Sequence, residues 1–110
     1  IPIRPNAMKR CLGNLTENAA HFGRHVRVSA KQTGNIVQVV VEDDGPGVPD
    51  DQKENVFKPF YRLDESRNPN TGGAGLGLAI ARDVARGHGG DIRMHDSDMG
   101  GLRAILRLPV

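Results

Sequence analysis

The chain has 110 residues, 37% of them hydrophobic and 25% charged, with a formal net charge of +2 from fifteen basic and thirteen acidic side chains. That length carries one compact domain with a single core, and a charge so near balance gives no reason to expect nucleic acid or a membrane surface as a partner. Apolar runs such as residues 39–41 are far below a membrane span, and the single cysteine, Cys11, excludes an internal disulfide and suits a reducing compartment.

Pro5 fits the first position of a helix, where its missing N–H has no partner to lose. After it Met8, Cys11, Leu12, Leu15, Ala19 and Phe22 recur at helical spacing, and Gly23 is placed to end the helix. The opposite side carries Asn14, Glu17, Asn18 and His21. Residues 25–32 alternate through Val26, Val28 and Ala30, and residues 35–41 are rich in β-branched side chains. Thr33-Gly34-Asn35 between them predicts an antiparallel hairpin. The second strand is apolar on both faces, as an inner strand is, and runs into Asp43-Asp44-Gly45-Pro46-Gly47. Pro49-Asp50-Asp51-Gln52 opens a short helix ending near Val56 or Phe57. Residues 61–74 are polar and aperiodic, a loop of a length that is usually functional. Residues 76–88 read as a second long helix closed by Gly89-Gly90, and residues 91–95 and 101–108 as a closing hairpin. The sum is an α+β two-layer sandwich, a mixed sheet packed against about three helices.

Three groups of residues carry chemistry. Asn14 and Asn18 project from one side of the first helix, a turn apart, and amide carbonyls are hard oxygen donors of the kind Mg²⁺ takes. Alone, the pair reads more simply as two solvated polar residues on an exposed face. Asp43-x-Gly45-x-Gly47 ends a buried strand, where a carboxylate accepts a hydrogen bond from an exocyclic amine such as adenine N6 and the glycines admit a flat base. A plain Asp-Gly turn explains half of that pattern. Gly72-Gly73-Ala74-Gly75-Leu76-Gly77-Leu78 opens a helix, and bare backbone N–H groups there form an anion site. No Lys-Ser/Thr follows, so this is not a Walker loop, and no strand precedes it, which disfavours a dinucleotide fold.

Together and in this order the three elements resemble the nucleotide-binding boxes of sensor histidine kinase catalytic domains, within the gyrase, Hsp90, histidine kinase and MutL ATPase superfamily. Asn14-Leu-Thr-Glu-Asn18-Ala-Ala-His-Phe22 resembles the N box and Asp43-Asp-Gly-Pro-Gly47 the G1 box. Phe57-Lys-Pro-Phe60 resembles the F box and Gly73-Ala-Gly-Leu-Gly77-Leu the G2 box. The osmosensor branch is the nearest in form, through Met8-Lys-Arg10, Asn18-Ala-Ala and the ending Leu106-Arg-Leu-Pro. The resemblance implies a Bergerat-type fold that binds ATP, with Asn18 on Mg²⁺ and Asn14 nearby. It also implies Asp43 on adenine N6 beside Gly45 and Gly47, and phosphates held by Gly73, Ala74, Gly75, Leu76, Gly77 and Leu78. Phe57 and Phe60 would anchor an ATP lid of roughly residues 62–74, whose positive charges are Arg62 and Arg67. His21 stands where Lys or Arg is frequent and Phe22 where Tyr is common, so both fall in the ATP set with a changed chemistry.

The superfamily's ATPases place a general-base Glu where this chain has Asn14, an amide that takes no proton from water. Glu17 is rotated about 100° from Asn18 on a helix. Phosphoryl transfer is therefore favoured over hydrolysis. None of His21, His25, His88 and His95 has the context of a phosphoacceptor histidine. The resemblance thus implies that residues 1–110 form a single catalytic domain, a fragment without the phosphoacceptor and dimerisation helices, inactive alone. Its expected partners are that dimerisation domain and a response regulator receiver domain, with no nucleic acid and no direct membrane contact. It would be cytoplasmic, on a parent chain anchored in the bacterial inner membrane. The alternatives are an anti-sigma-factor-type serine kinase, against which the long loop counts, and a regulatory ATP-binding module without kinase activity.

Overall fold

The computed structural model describes residues 5–58 and 77–109. Helix α1 spans Pro5–Phe22, strand β1 Val26–Thr33 and strand β2 Ile36–Asp43; α2 spans Gly77–Gly87, β3 Asp91–Asp96 and β4 Leu102–Pro109. The segment expected as one short helix after β2 forms two separate 3-10 turns, Asp50–Gln52 and Asn55–Phe57. The described helical layer consists of two α-helices plus these turns.

The four strands lie in the order β1-β2-β4-β3, and all three pairings are antiparallel. A mixed sheet was expected from the sequence; β2 and β3 do run in the same direction, joined by a crossover through α2. β4 inserts between those two strands and separates them, so no parallel ladder forms among the described residues. The helices cover one face. Leu102, Ala104, Leu106 and Leu108 of β4 alternate inward with Val41 of β2 and Ile92 and Met94 of β3, and meet Cys11, Leu15 and Ala19 of α1 and Ala81 and Ala85 of α2. Leu15, Ile92 and Leu106 are among the largest fully buried side chains, each contributing about 1.5–3 kcal/mol of burial.

The alanines let the two helices approach closely: Cys11 Sγ donates to the Ala81 carbonyl at 3.4 Å. Burial pushes the Cys11 thiol up to about 11, so it behaves as a small apolar side chain and not as a nucleophile. Helix α2 ends as Gly89 and Gly90 suggested. The Gly90 N–H reaches back to the Ala85 carbonyl at 2.9 Å and that of Gly89 to Arg86 at 3.0 Å, the paired bonds of a Schellman cap. The His88 ring lies against the same terminus, its Nδ1 donating to the Val84 carbonyl at 2.8 Å.

β1 departs from its alternating sequence. It is exposed along its whole length, Val28 at 55%, because the helical layer lies over β2, β4 and β3 and stops short of this edge.

Candidate functional site

Asn14 and Asn18 are both half-buried on α1, and neither amide has a protein partner among the described residues. Asn14 is aimed across the groove between the helices: a Cβ placed on Gly77, the first residue of α2, would lie 3.8 Å from the Asn14 side chain. The fold thus brings the N-terminal turn of α2, with its N–H groups, onto one flank of α1. Glu17 is exposed and points away from that flank.

Eight residues further along α1, about 12 Å at the helical rise, the end of β2 meets the helix C-terminus. Asp43 is 2% exposed, and its Oδ1 accepts from the backbone N–H of Gly45 at 2.9 Å and of Leu102 at 3.2 Å. One carboxylate oxygen is therefore spent on fixing the loop, while Oδ2 makes no hydrogen bond among the described residues. Phe22, whose carbonyl abuts this loop at Gly45, and His21 are both exposed, Phe22 at 40%, with the two rings edge to face at 4.7 Å. Phe22 thus leaves the apolar face it was read into and lies at the rim of the groove.

The glycines of this loop have a structural task that the sequence did not suggest. A Cβ on Gly45 would meet the Phe22 carbonyl oxygen at 2.5 Å, so this glycine lets the loop close on the end of α1. Gly101, not singled out from the sequence, is the tighter position: a Cβ there would meet Asp43 Oδ1 at 2.2 Å and Gly45 N at 2.6 Å. Gly47 turns the chain at a φ of 73° opposite Gly101. Nothing local in the sequence marks Gly101 or Leu102 as neighbours of Asp43, fifty-nine residues away in the case of Leu102.

The carboxylate next door does different work. Asp44 Oδ1 accepts from the N–H groups of Arg24 and His25 at 2.8 and 3.0 Å, and Oδ2 meets the His25 ring at 2.8 Å. The His25 backbone and ring bonds hold the Asp44 carboxyl down at about 2. Glu42, buried at 4% exposure, is satisfied by Arg27 and by the Ser97 hydroxyl at 3.0 Å, which ties the β3–β4 turn to the site's floor.

Phe57 is buried beneath the Arg82 guanidinium, 4.1 Å from the ring centre. Arg82 also bonds Glu54 and, at 2.9 Å, Asp91, so the 3-10 turn, α2 and β3 are pinned together at the point where the chain leaves the described region. The Arg82 bond, foremost, lowers Asp91 to about 2. Leu78 packs on the core. Phe60, Arg62, Arg67, Gly73, Ala74, Gly75 and Leu76 lie outside the described residues.

Comparison with known proteins places this geometry in context. Sensor histidine kinase GtrS of Pseudomonas aeruginosa is 45% identical over 108 residues, 98% of this chain and 22% of the relative. The chain therefore spans under a quarter of that curated relative. The histidine kinase domain of the Escherichia coli osmosensor EnvZ superposes with a TM-score of 0.70 at 37% identity, over all of this chain and 68% of that one. ShkA, solved at full length in complex with AMPPNP, gives a TM-score of 0.80 at 28% identity over 94% of this chain and 21% of its own. Residues 3–110 match the family model described as histidine kinase-, DNA gyrase B- and HSP90-like ATPase. With a match of that extent, the chain belongs to this ATPase family, on its sensor histidine kinase branch.

Proposed function

We propose that this chain binds Mg-ATP along the groove between α1 and α2 and donates the γ-phosphoryl group to a histidine on a separate dimerisation domain, in two-component signalling. The observation that carries the reading is the placement of Asn14 beside the start of α2, with Asn18 one turn further along α1, about 12 Å along the helix from a buried carboxylate with one oxygen uncommitted among the described residues. A nucleotide laid along α1 puts its base at Asp43 and its phosphates at Gly77. Asp43 Oδ2 accepts from the adenine amine, and Phe22 flanks the ring. The N–H groups at the start of α2 take the phosphates, and the family resemblance assigns the backbone of Gly73, Ala74, Gly75 and Leu76 and the side chains of Arg62, Arg67 and His21 to the same task.

The amide pair fits a hard cation: it offers neutral oxygens that no donor among the described residues occupies, and Mg²⁺ is bound by few protein ligands plus phosphate oxygens and water. Asn18 would hold it with Asn14 beside it, and the ion would neutralise phosphate charge. Transfer breaks the bond between the γ-phosphorus and the β–γ bridging oxygen, forms a phosphorus–nitrogen bond on the acceptor imidazole and releases ADP. No carboxylate on the Asn14 flank of α1 is placed to activate water, since Asn14 is an amide and Glu17 faces away. That favours transfer over hydrolysis.

The partners follow from the same reading: the phosphoacceptor helices and a receiver domain, in a parent kinase anchored in the bacterial inner membrane with this domain on the cytoplasmic side. Mixing the chain with the phosphoacceptor domain of its parent kinase and radiolabelled ATP is the test. Acid-labile label on the acceptor is expected; acid-stable label or none overturns histidine transfer.

A further inference from the structure

The face of the sheet turned away from both helices is formed by the residues that alternate with the core. Its rows, read across β1, β2, β4 and β3, are Arg27–Glu42–Arg103–His95, Ser29–Val40–Ile105–Arg93 and Lys31–Gln38–Arg107–Asp91, followed by Thr33–Ile36–Pro109. Val40, Ile105 and Ile36 are half-buried along its middle, whereas Lys31, Arg93 and Arg107 are exposed.

The charges on this face do not balance. Glu42 is taken by Arg27 and Ser97, and Asp91 is taken by Arg82 and Arg86 of α2. Lys31, Arg93, Arg103 and Arg107 keep no acidic partner among the described residues, and the Nε of Arg103 is buried without any hydrogen-bond acceptor. A buried donor left in this way costs on the order of 1–3 kcal/mol. In the third row Lys31 and Arg107 flank Gln38 with one strand between them, about 10 Å apart at the backbone. Together with Thr33 and Ile36 they line a shallow cavity of about 310 Å³.

We propose that this open face is a docking surface for an acidic polypeptide segment of a partner protein, with apolar side chains on Val40 and Ile105 and carboxylates on Lys31, Arg93, Arg103 and Arg107. An apolar centre edged by arginines is the anatomy of a protein interface. The face carries no Phe, Tyr or Trp on which nucleic-acid bases would stack. Its apolar side chains are half-buried between strands and do not protrude, which leaves little to insert into a bilayer. A second copy facing it would set like charges against each other. The surface lies across the sheet from Asp43 and the α1–α2 groove, so the proposal stands apart from the nucleotide reading.

The test titrates the isotope-labelled chain with a short peptide of alternating glutamate and leucine. Amide shifts are expected on β1, β2 and β4 at the positions of this face, with an affinity that falls steeply as salt rises. The paired charge reversal Lys31→Glu with Arg107→Glu weakens binding at least about tenfold, while ATP affinity and melting temperature stay near those of the parent. Arg93→Ala, a milder change, weakens it in the same direction. Unchanged peptide affinity in the reversed variant overturns the proposal. So do shifts confined to the helical layer, equal binding by phosphatidylserine vesicles, or a dimer in sedimentation that the reversal leaves intact.

Discussion

The two ends of the α1–α2 groove are built by opposite means. At the Asp43 end every committed atom is fixed by backbone: the carboxylate is gripped by the N–H groups of Gly45 and Leu102, and bare glycines at 45 and 101 let three chain segments meet. At the Asn14 end two side-chain amides stand half-buried with no partner among the described residues, Asn14 of the two opposite the start of another helix. The first end is preorganised, so binding there costs little reorganisation, and it is suited to telling one ligand from another. The second is left unsatisfied, so its hydrogen-bonding capacity is realised only when something fills the groove.

The sharpest way to break this contrast is Gly101→Ala. The added methyl has to displace Asp43 or the backbone of Gly45, at a cost of about 3 kcal/mol. A drop of that size in urea-derived stability, together with loss of ATP binding, is expected; near-parental stability would mean that the loop is not held as tightly as its contacts imply.

Asn18→Ala attacks the other end, and the outcome should be reversed. The side chain has no partner among the described residues, so stability should change by less than about 1 kcal/mol. Mg-dependent ATP affinity should fall about a hundredfold, the scale of hydrogen bonds and ligation to charged groups. Calorimetry that finds parental affinity removes Asn18 from the site.

Base discrimination sharpens the role of Asp43. Its free oxygen accepts from the adenine amine, whereas guanine sets a carbonyl at that place, and two acceptors repel. GTP should bind on the order of tenfold or more weakly than ATP, and competition at equal concentrations would show Asp43 not to be the base reader.

The smallest expected effect is on acid stability. Amides do not titrate, so the Asn14 end gives no pH dependence, but the loop beside Asp43 does. The Asp44 carboxyl is lowered from 3.8 to about 2 by the His25 bonds. Its contribution is complete above pH 3.8 and is lost as pH falls toward 2. Asp91, lowered to about 2 chiefly by Arg82, acts in the same window. Asp44→Asn should flatten part of the stability loss between pH 4 and pH 2 that the parent shows; an identical acid profile would deny the His25–Asp44 contact any weight.

The sequence by itself determined whatever depends on neighbours within a turn or a hairpin. The period of Cys11, Leu15 and Ala19 placed α1 and set Asn14 and Asn18 on its far side, Gly34-Asn35 set the first hairpin, and Asp43 fell at a strand end. Each is a short-range consequence of backbone geometry, so it survives being read locally. It misjudged what depends on covering. Val26 and Val28 alternate like half-buried residues, yet the helices stop before they reach β1, and the strand order that keeps the sheet antiparallel was invisible because nothing near β4 encodes its insertion between β2 and β3. Only the tertiary structure decided that Leu102 and Gly101 fix Asp43, that Gly77 faces Asn14, and that four cations gather on the open face without an acidic partner among the described residues. Those relations join segments tens of residues apart, and their geometry comes from the packing of the whole sheet against two helices, which no local spacing carries.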